Sequence, residues 1–156
     1  MKNVKEAFSS IVHQGVIADS SLVGCTNDEI LIVEKHFNCC LPQAYKEFLL
    51  IAGKGAGKLF LGTDIFYPRV LELQFEAKEL LVELGLTSLL PNDAKVFCMH
   101  QGYELNYFEP TSDDPPVFQF FEGQTEVVIA WNSFSEFILS SIQSHLGQWS
   151  DLNLSD

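Results

Sequence analysis

The sequence predicts an α+β domain, a mainly antiparallel β-sheet flanked by helices. Three observations carry this. Over most of the first half, apolar residues recur at helical spacing between glycines and prolines. From Val96 to Trp131 they come instead as four short β-prone runs, VFCMHQ, ELNYFEP, PVFQFF and TEVVIAW, separated by Gly102, by the polar stretch Thr111 to Pro116 and by Glu122-Gly123-Gln124. After Ser133 the helical spacing returns. Helices followed by strands on short turns give an antiparallel sheet with helices packed on it. At 156 residues and 47% hydrophobic, the chain can bury one core, and no repeat or linker divides it. One domain is expected over residues 1–147, followed by a loosely held acidic tail, 148–156.

Val4, Ala7, Phe8, Ile11 and Val12 predict an amphipathic first helix over about 2–14, ended by Gly15. Residues 15–24 read as a loop. Thr26 and Glu29 have the spacing of a capping box, in which each side chain satisfies a backbone N–H at the start of a second helix. Ile30, Val33 and Phe37 form its buried face. A brief connection, Asn38 to Leu41, makes the second and third helices a hairpin or corner. Pro42 has no N–H to lose and a φ near the helical value, so it suits the first turn of the third helix. Tyr45, Phe48, Leu49 and Ala52 are the apolar stripe of that helix, and Gly53 stands where a left-handed cap is expected.

Gly53-Lys54-Gly55-Ala56-Gly57-Lys58 has the look of a phosphate loop. A Walker A loop needs four residues before its Gly-Lys pair and Ser or Thr after it; here there are three and Leu59 follows, in a helix-to-strand order. The segment is expected to be a flexible connection with left-handed glycines. The apolar residues of 58–62 and 65–71 predict a short hairpin with Pro68 at an edge or bulge. A fourth helix should follow, with Leu73, Ala77, Leu80, Leu81 and Leu84 inside, Glu72, Glu76, Glu79 and Glu83 on a wet face, and Gly85 at its end. Beyond the four strands, Ser133 and Glu136 form a second capping box. Phe134, Phe137, Ile138, Ser141, Ile142 and His145 continue it as a helix with His145 in the last turn.

The net charge of −12 is unevenly spread. All nine Lys and Arg lie between Lys2 and Lys95 among twelve acids, whereas residues 96–156 hold nine acids and no Lys or Arg. A field of one sign repels phosphate backbones and anionic lipid, which argues against nucleic acid and membrane surfaces, and it attracts a basic protein. MKNVKEAFSS is interrupted by charge where a signal peptide needs an apolar core, and no run is long enough for a membrane span, so a cytoplasmic location is expected. Cys25, Cys39, Cys40 and Cys98 should then be reduced. Although His36 is near Cys39 and Cys40, no CxxC pair exists to suggest zinc, and the cysteines read as small buried hydrophobes.

No nucleophile elbow, His-Glu-x-x-His, calcium loop or dinucleotide fingerprint is present. Cys98 and His100 alternate on one strand and share a face, so they could form a thiol and its base, or line a small-ligand or metal pocket. With neither an orienting third group nor an oxyanion site to complete the pair, the expectation is no enzyme, no cofactor and no metal. Tyr103, Glu104, Tyr107, Glu109, Asp113, Asp114, Glu122 and Glu126 are the candidate partner-binding residues, since they combine aromatic anchors with acids that speed encounter with a basic protein.

Several motifs stand together in order: Glu29-Ile30 and Glu34 on a capped helix, Leu41-Pro42, Tyr45-Lys46, Phe48-Leu49 and a glycine at the helix end. Farther on come Val96-Phe97, Gly102, Pro116-Val117-Phe118 and Ser133-Phe134-Ser135-Glu136-Phe137-Ile138. Over about 22–142 this resembles the SUKH superfamily, which takes in fungal cell-wall synthesis regulators and bacterial immunity proteins. The chain has Ala52-Gly53 where the family usually has Asn-Gly, and residues 65–90 match loosely. The resemblance implies an α+β fold, no enzymatic activity, and binding to a cognate toxin of nuclease or deaminase type. It carries over no site residues. Alternatives are a scaffold of the cell-wall-regulator type, or a small-ligand or metal-binding protein using Cys98 and His100.

Overall fold

The computed structural model describes residues 3–154, with side chains through Gly147. Helix α1 (Val4–His13) begins where the Asn3 carboxamide oxygen accepts the Glu6 N–H at 2.8 Å, and it buries Val4, Ala7, Phe8 and Ile11. The stretch after it is more than loop. A 3₁₀ turn at Asp19–Ser21 leads into β1 (Leu22–Val23), which pairs antiparallel with β2 (Gly55–Ala56). Helix α2 (Asn27–Phe37) carries the full capping box: Thr26 N–H donates to Glu29 at 2.8 Å, and Glu29 N–H to the Thr26 hydroxyl at 3.2 Å. Helix α3 (Gln43–Ala52) starts one residue later than expected, with Pro42 as its N-cap.

Gly53 is glycine for a reason other than a left-handed φ. Its φ is −62°, ordinary for a helix. A Cβ there would lie 2.5 Å from the Leu49 carbonyl oxygen and 2.6 Å from the Cys25 sulfur. The segment is anchored to β1 in the same place, Lys54 N–H donating to Val23 O at 2.8 Å. Of the glycines in the false phosphate loop, Gly57 is the left-handed one, at φ +61°.

The expected hairpin over 58–71 does not form. Only β3 (Thr63–Asp64) is a strand, residues 65–69 are irregular with a cis Tyr67-Pro68 bond, and Val70 and Leu71 already belong to α4 (Val70–Leu84). The apolar residues here do not alternate on a pleat: Leu59 and Ile65 are buried, Leu61 is exposed, and half-buried Phe60 and Phe66 pack on Phe48 with ring centres 6.0 and 6.5 Å away. Glu72 and Glu76 do not simply face water, because Arg69 donates to them at 2.9 and 3.0 Å and pairs with Asp64 at 3.4 Å.

The main sheet has the order β3-β4-β5-β6-β7, with β4 (Lys95–His100), β5 (Glu104–Phe108), β6 (Val117–Phe121) and β7 (Val128–Trp131), every neighbouring pair antiparallel. Gln101 and Gly102, with φ +50° and +78°, are the central residues of the β4–β5 turn, which Tyr103 N–H closes on His100 O at 3.2 Å and whose left-handed backbone matches the strand twist. Since β3 covers only the His100 end of β4, α4 completes the rest. The Gln74 carboxamide donates to Ala94 O at 2.9 Å and accepts the Val96 N–H at 2.8 Å, in place of a neighbouring strand.

Helix α5 (Phe134–Leu154) packs with α1 and α3. It extends past the expected end, so His145 lies mid-helix; the acidic-tail reading of 148–156 concerns side chains outside the described residues. Between helices and sheet sits an aromatic core centred on Tyr45, with the rings of Phe37, Phe48, Phe97, Phe108 and Phe134 centred 5.2–6.4 Å from it. Among the described residues the architecture is thus five α-helices, a five-stranded antiparallel sheet and a two-stranded ribbon.

Candidate functional site

Strand alternation sorts the candidate residues by face. Phe108 meets the Tyr45 and Phe134 rings, so Glu104 and Asn106, four and two residues before it, lie on that helix-side face. Their partners across the β5–β6 ladder are Phe121 and Gln119. There Asn106 donates to the Glu104 carboxylate at 2.9 Å, and Gln119 donates to Glu104 at 3.3 Å and to the Asn106 oxygen at 3.1 Å. Asn106 is fully buried and its polar atoms are satisfied within this network. Cys98 and His100 pair with Asn106 and Glu104 on the other side, and the Thr63 hydroxyl meets His100 Nδ1 at 2.9 Å.

Tyr107 points to the opposite face. It is buried, stacked on Phe118 with centres 5.0 Å apart, and burial together with nearby Glu109 pushes its phenol up to about 12. It is therefore not available as an exposed anchor.

The remaining candidates separate to two ends of the sheet. At the β4–β5 turn end, Tyr103 is 39% exposed and stands edge-on to the His100 ring. Glu122 N–H donates to Tyr103 O at 2.8 Å, which joins this turn to the β6–β7 connection carrying exposed Glu122 and Glu126. Glu109, Asp113 and Asp114 occupy the β5–β6 connection at the other end, about 14 Å away along β5. Two of them have structural partners: Asp113 O accepts the Ala44 N–H at 2.9 Å, and the Asp114 carboxylate accepts the Ser135 N–H at 2.8 Å. The eight residues are not one surface. Tyr103, Glu104, Glu122 and Glu126 are brought together; Glu109, Asp113 and Asp114 are grouped elsewhere, and Tyr107 is inside.

The polar network was not among the candidates, although Asn106 and Gln119 are conspicuous as amides inside the otherwise apolar runs ELNYF and VFQFF. Chemically it is a buried to half-buried hydrogen-bonded cluster of two amides and a carboxylate. Burial, with Glu104 nearby, drives the Cys98 thiol far above the ordinary range, so the group is the protonated thiol and lacks the charge of a nucleophile. Burial likewise pushes Cys25 up to about 11. Among the described residues, no three His, Cys, Asp or Glu side chains gather as a metal set, and no helix is long and apolar enough to cross a membrane.

A mainly antiparallel sheet with an aromatic seam to α3 and α5 gives structural meaning to the motifs Leu41-Pro42, Tyr45 and Ser133-Phe134. The family model described as SMI1 / KNR4 family (SUKH-1) matches residues 24–140. The chain belongs to that family. A search of curated proteins finds no match. Within the SUKH-1 domain the match begins at Gly24, ahead of α2, and ends inside α5, so it spans the capping box, the aromatic core and the whole main sheet. Helix α1 lies outside it yet contributes to the same core through the Phe8–Phe48 contact at 6.3 Å.

Proposed function

We propose that this SUKH-1 domain is a non-enzymatic protein-binding module of the cytoplasm, an immunity protein that binds a basic toxin domain of nuclease or deaminase type and covers its active site or substrate groove. The observation that carries the reading is the turn end of the sheet, whose two connections, 101–103 and 122–127, together carry acids and no Lys or Arg. Exposed Tyr103, Glu122 and Glu126 share this end with half-buried Glu104, and Lys95, the last Lys or Arg of the sequence, pairs with Phe108 at the far end. An exposed aromatic at the same end of the sheet as these acids suits a cationic surface: the acids raise the encounter rate, and the ring supplies contact area at low entropic cost. Nuclease domains bind phosphate through basic grooves, so a surface of this sign competes with their substrate.

The test is co-expression with a toxin encoded beside this gene, followed by association kinetics. The chain should restore growth. Glu122→Lys with Glu126→Lys should slow association about tenfold or more at low salt and flatten its salt dependence, leaving the melting temperature unchanged. Asp113→Lys, at the other end, should change the rate little. Equal effects at the two ends, or none at either, would reject this face as the binding surface.

A further inference from the structure

We infer that the outer edge of β7 is a docking strand, which takes an extended, Lys- or Arg-bearing segment of a partner protein as a sixth strand on the five-stranded sheet. The inference rests on the basic-partner reading above and adds where and how that partner is held.

The two edges of the sheet are treated differently. At one, two-residue β3 and the Gln74 carboxamide satisfy the backbone of β4. At the other, β7 pairs with β6, and among the described residues no further backbone or side-chain hydrogen bond reaches Val128–Trp131. Sheet edges are ordinarily guarded by lysine, proline, inward charge or a bulge. Residues 127–131, Val-Val-Ile-Ala-Trp, contain no charge and no proline. One guard is present, a bulge at Ala130: Val117 pairs with Trp131 and Phe118 with Ile129, which leaves Ala130 without a partner, while Val128 and Ile129 stay in register opposite Gln119 and Phe118. Those two β-branched side chains point to opposite faces and are 48% and 58% exposed, an alternation that suits pairing with a further strand.

Charge selects the occupant. Exposed Glu122 and Glu126 precede β7 and Glu136 follows it, with no Lys or Arg after Lys95. Antiparallel pairing of β7 with a second copy would set the Glu122–Glu126 end of each chain against Glu136 of the other, a like-charge contact. A segment with basic residues flanking β-branched ones meets the same edge with opposite charge.

The probe is a fluorescein-labelled ten-residue peptide of alternating Lys and Val, with an alternating Glu and Val peptide as control, added to the full chain. The Lys–Val peptide should raise anisotropy and slow amide exchange across 127–131, and the Glu–Val peptide should do neither. Val128→Ser with Ile129→Ser, which alters no charge at two exposed positions, should weaken binding about tenfold with an unchanged melting temperature. Three results would overturn the proposal: failure of the Lys–Val peptide to bind, binding that leaves exchange at β7 unchanged, or a concentration-dependent dimer abolished by the serine pair, which would make a second copy the occupant. Any of these leaves the basic-partner reading to be judged on Glu122→Lys with Glu126→Lys against the toxin.

Discussion

Asp114 and Ser135 are joined across the fold by a 2.8 Å hydrogen bond, from the backbone N–H of Ser135 to the Asp114 carboxylate. Ser133 satisfies the next donor, Glu136 N–H, at 3.1 Å, while Glu136 reaches back to Asn132 N–H at 3.0 Å. The N-terminus of α5 is thus capped from within and from the β5–β6 loop. Asp114→Ala should cost about 1 kcal/mol through the lost cap and the lost negative charge at the helix start. Chemical denaturation measures it; an unchanged midpoint would mean that the loop does not hold the helix.

The Tyr45 and Phe48 rings lie at the centre of the core, both fully buried. Phe48→Ala should cost about 3–5 kcal/mol. Tyr45 differs, because its buried hydroxyl has no hydrogen-bond partner. Tyr45→Phe should therefore leave stability unchanged or raise it by up to about 1 kcal/mol, since an unpaired buried hydroxyl is itself a cost. A clear loss on that substitution would show that the hydroxyl is bonded in solution.

Two glycines, one inside α5 and one capping α3, should respond to alanine with opposite signs. Gly147, in α5, has open space where a Cβ would stand, so Gly147→Ala should gain about 0.5–1 kcal/mol. Gly53 has an equally compatible φ but is walled in by Leu49 O and Cys25, and Gly53→Ala should cost more than about 1 kcal/mol. Paired thermal melts compare them directly, and equal shifts would refute the steric account.

Stability should depend on pH through Glu29. The Thr26 backbone N–H, then the Lys54 ammonium 3.2 Å away, hold its carboxyl below the ordinary value of 4.5. A depressed carboxyl pKa contributes stability that is present above the unfolded value and is lost as pH falls through the folded one. Glu29→Gln should therefore be less stable than the natural chain at pH 7, with the gap closing below about pH 4. A gap independent of pH would show that capping, not charge, accounts for the difference.

Much of the fold was legible because its signals are local. The Thr26–Glu29 box, the Tyr45–Ala52 stripe and the turn at Gly102 each lie within a few residues, and each formed where its spacing required, although Gln101, read as the end of the strand, belongs to the turn. Residues 58–71 were misread for the converse reason. A run of large apolar residues carries no period when the backbone between them is irregular, and Phe60 and Phe66 reach the same Phe48 ring from either side of β3. The candidate surface was half legible: composition picked out the acids, but not which of them have structural partners.

The sequence by itself determined the α+β class, the helix and strand order over most of the chain, the family, and the concentration of negative charge after Lys95. Tertiary structure alone decided that Tyr103, Glu104, Glu122 and Glu126 meet at one end of the sheet, that Asp114 caps α5, and that Tyr107 is buried. It decided, too, that Gln74 bonds the backbone beside β4 at one edge while, among the described residues, β7 pairs with β6 alone. Helical periods and caps are written in neighbours a few residues apart. Faces, ends and edges of a sheet depend on register between strands and on what packs over them, and those pairings join residues whose separation in the chain carries no signal of their meeting.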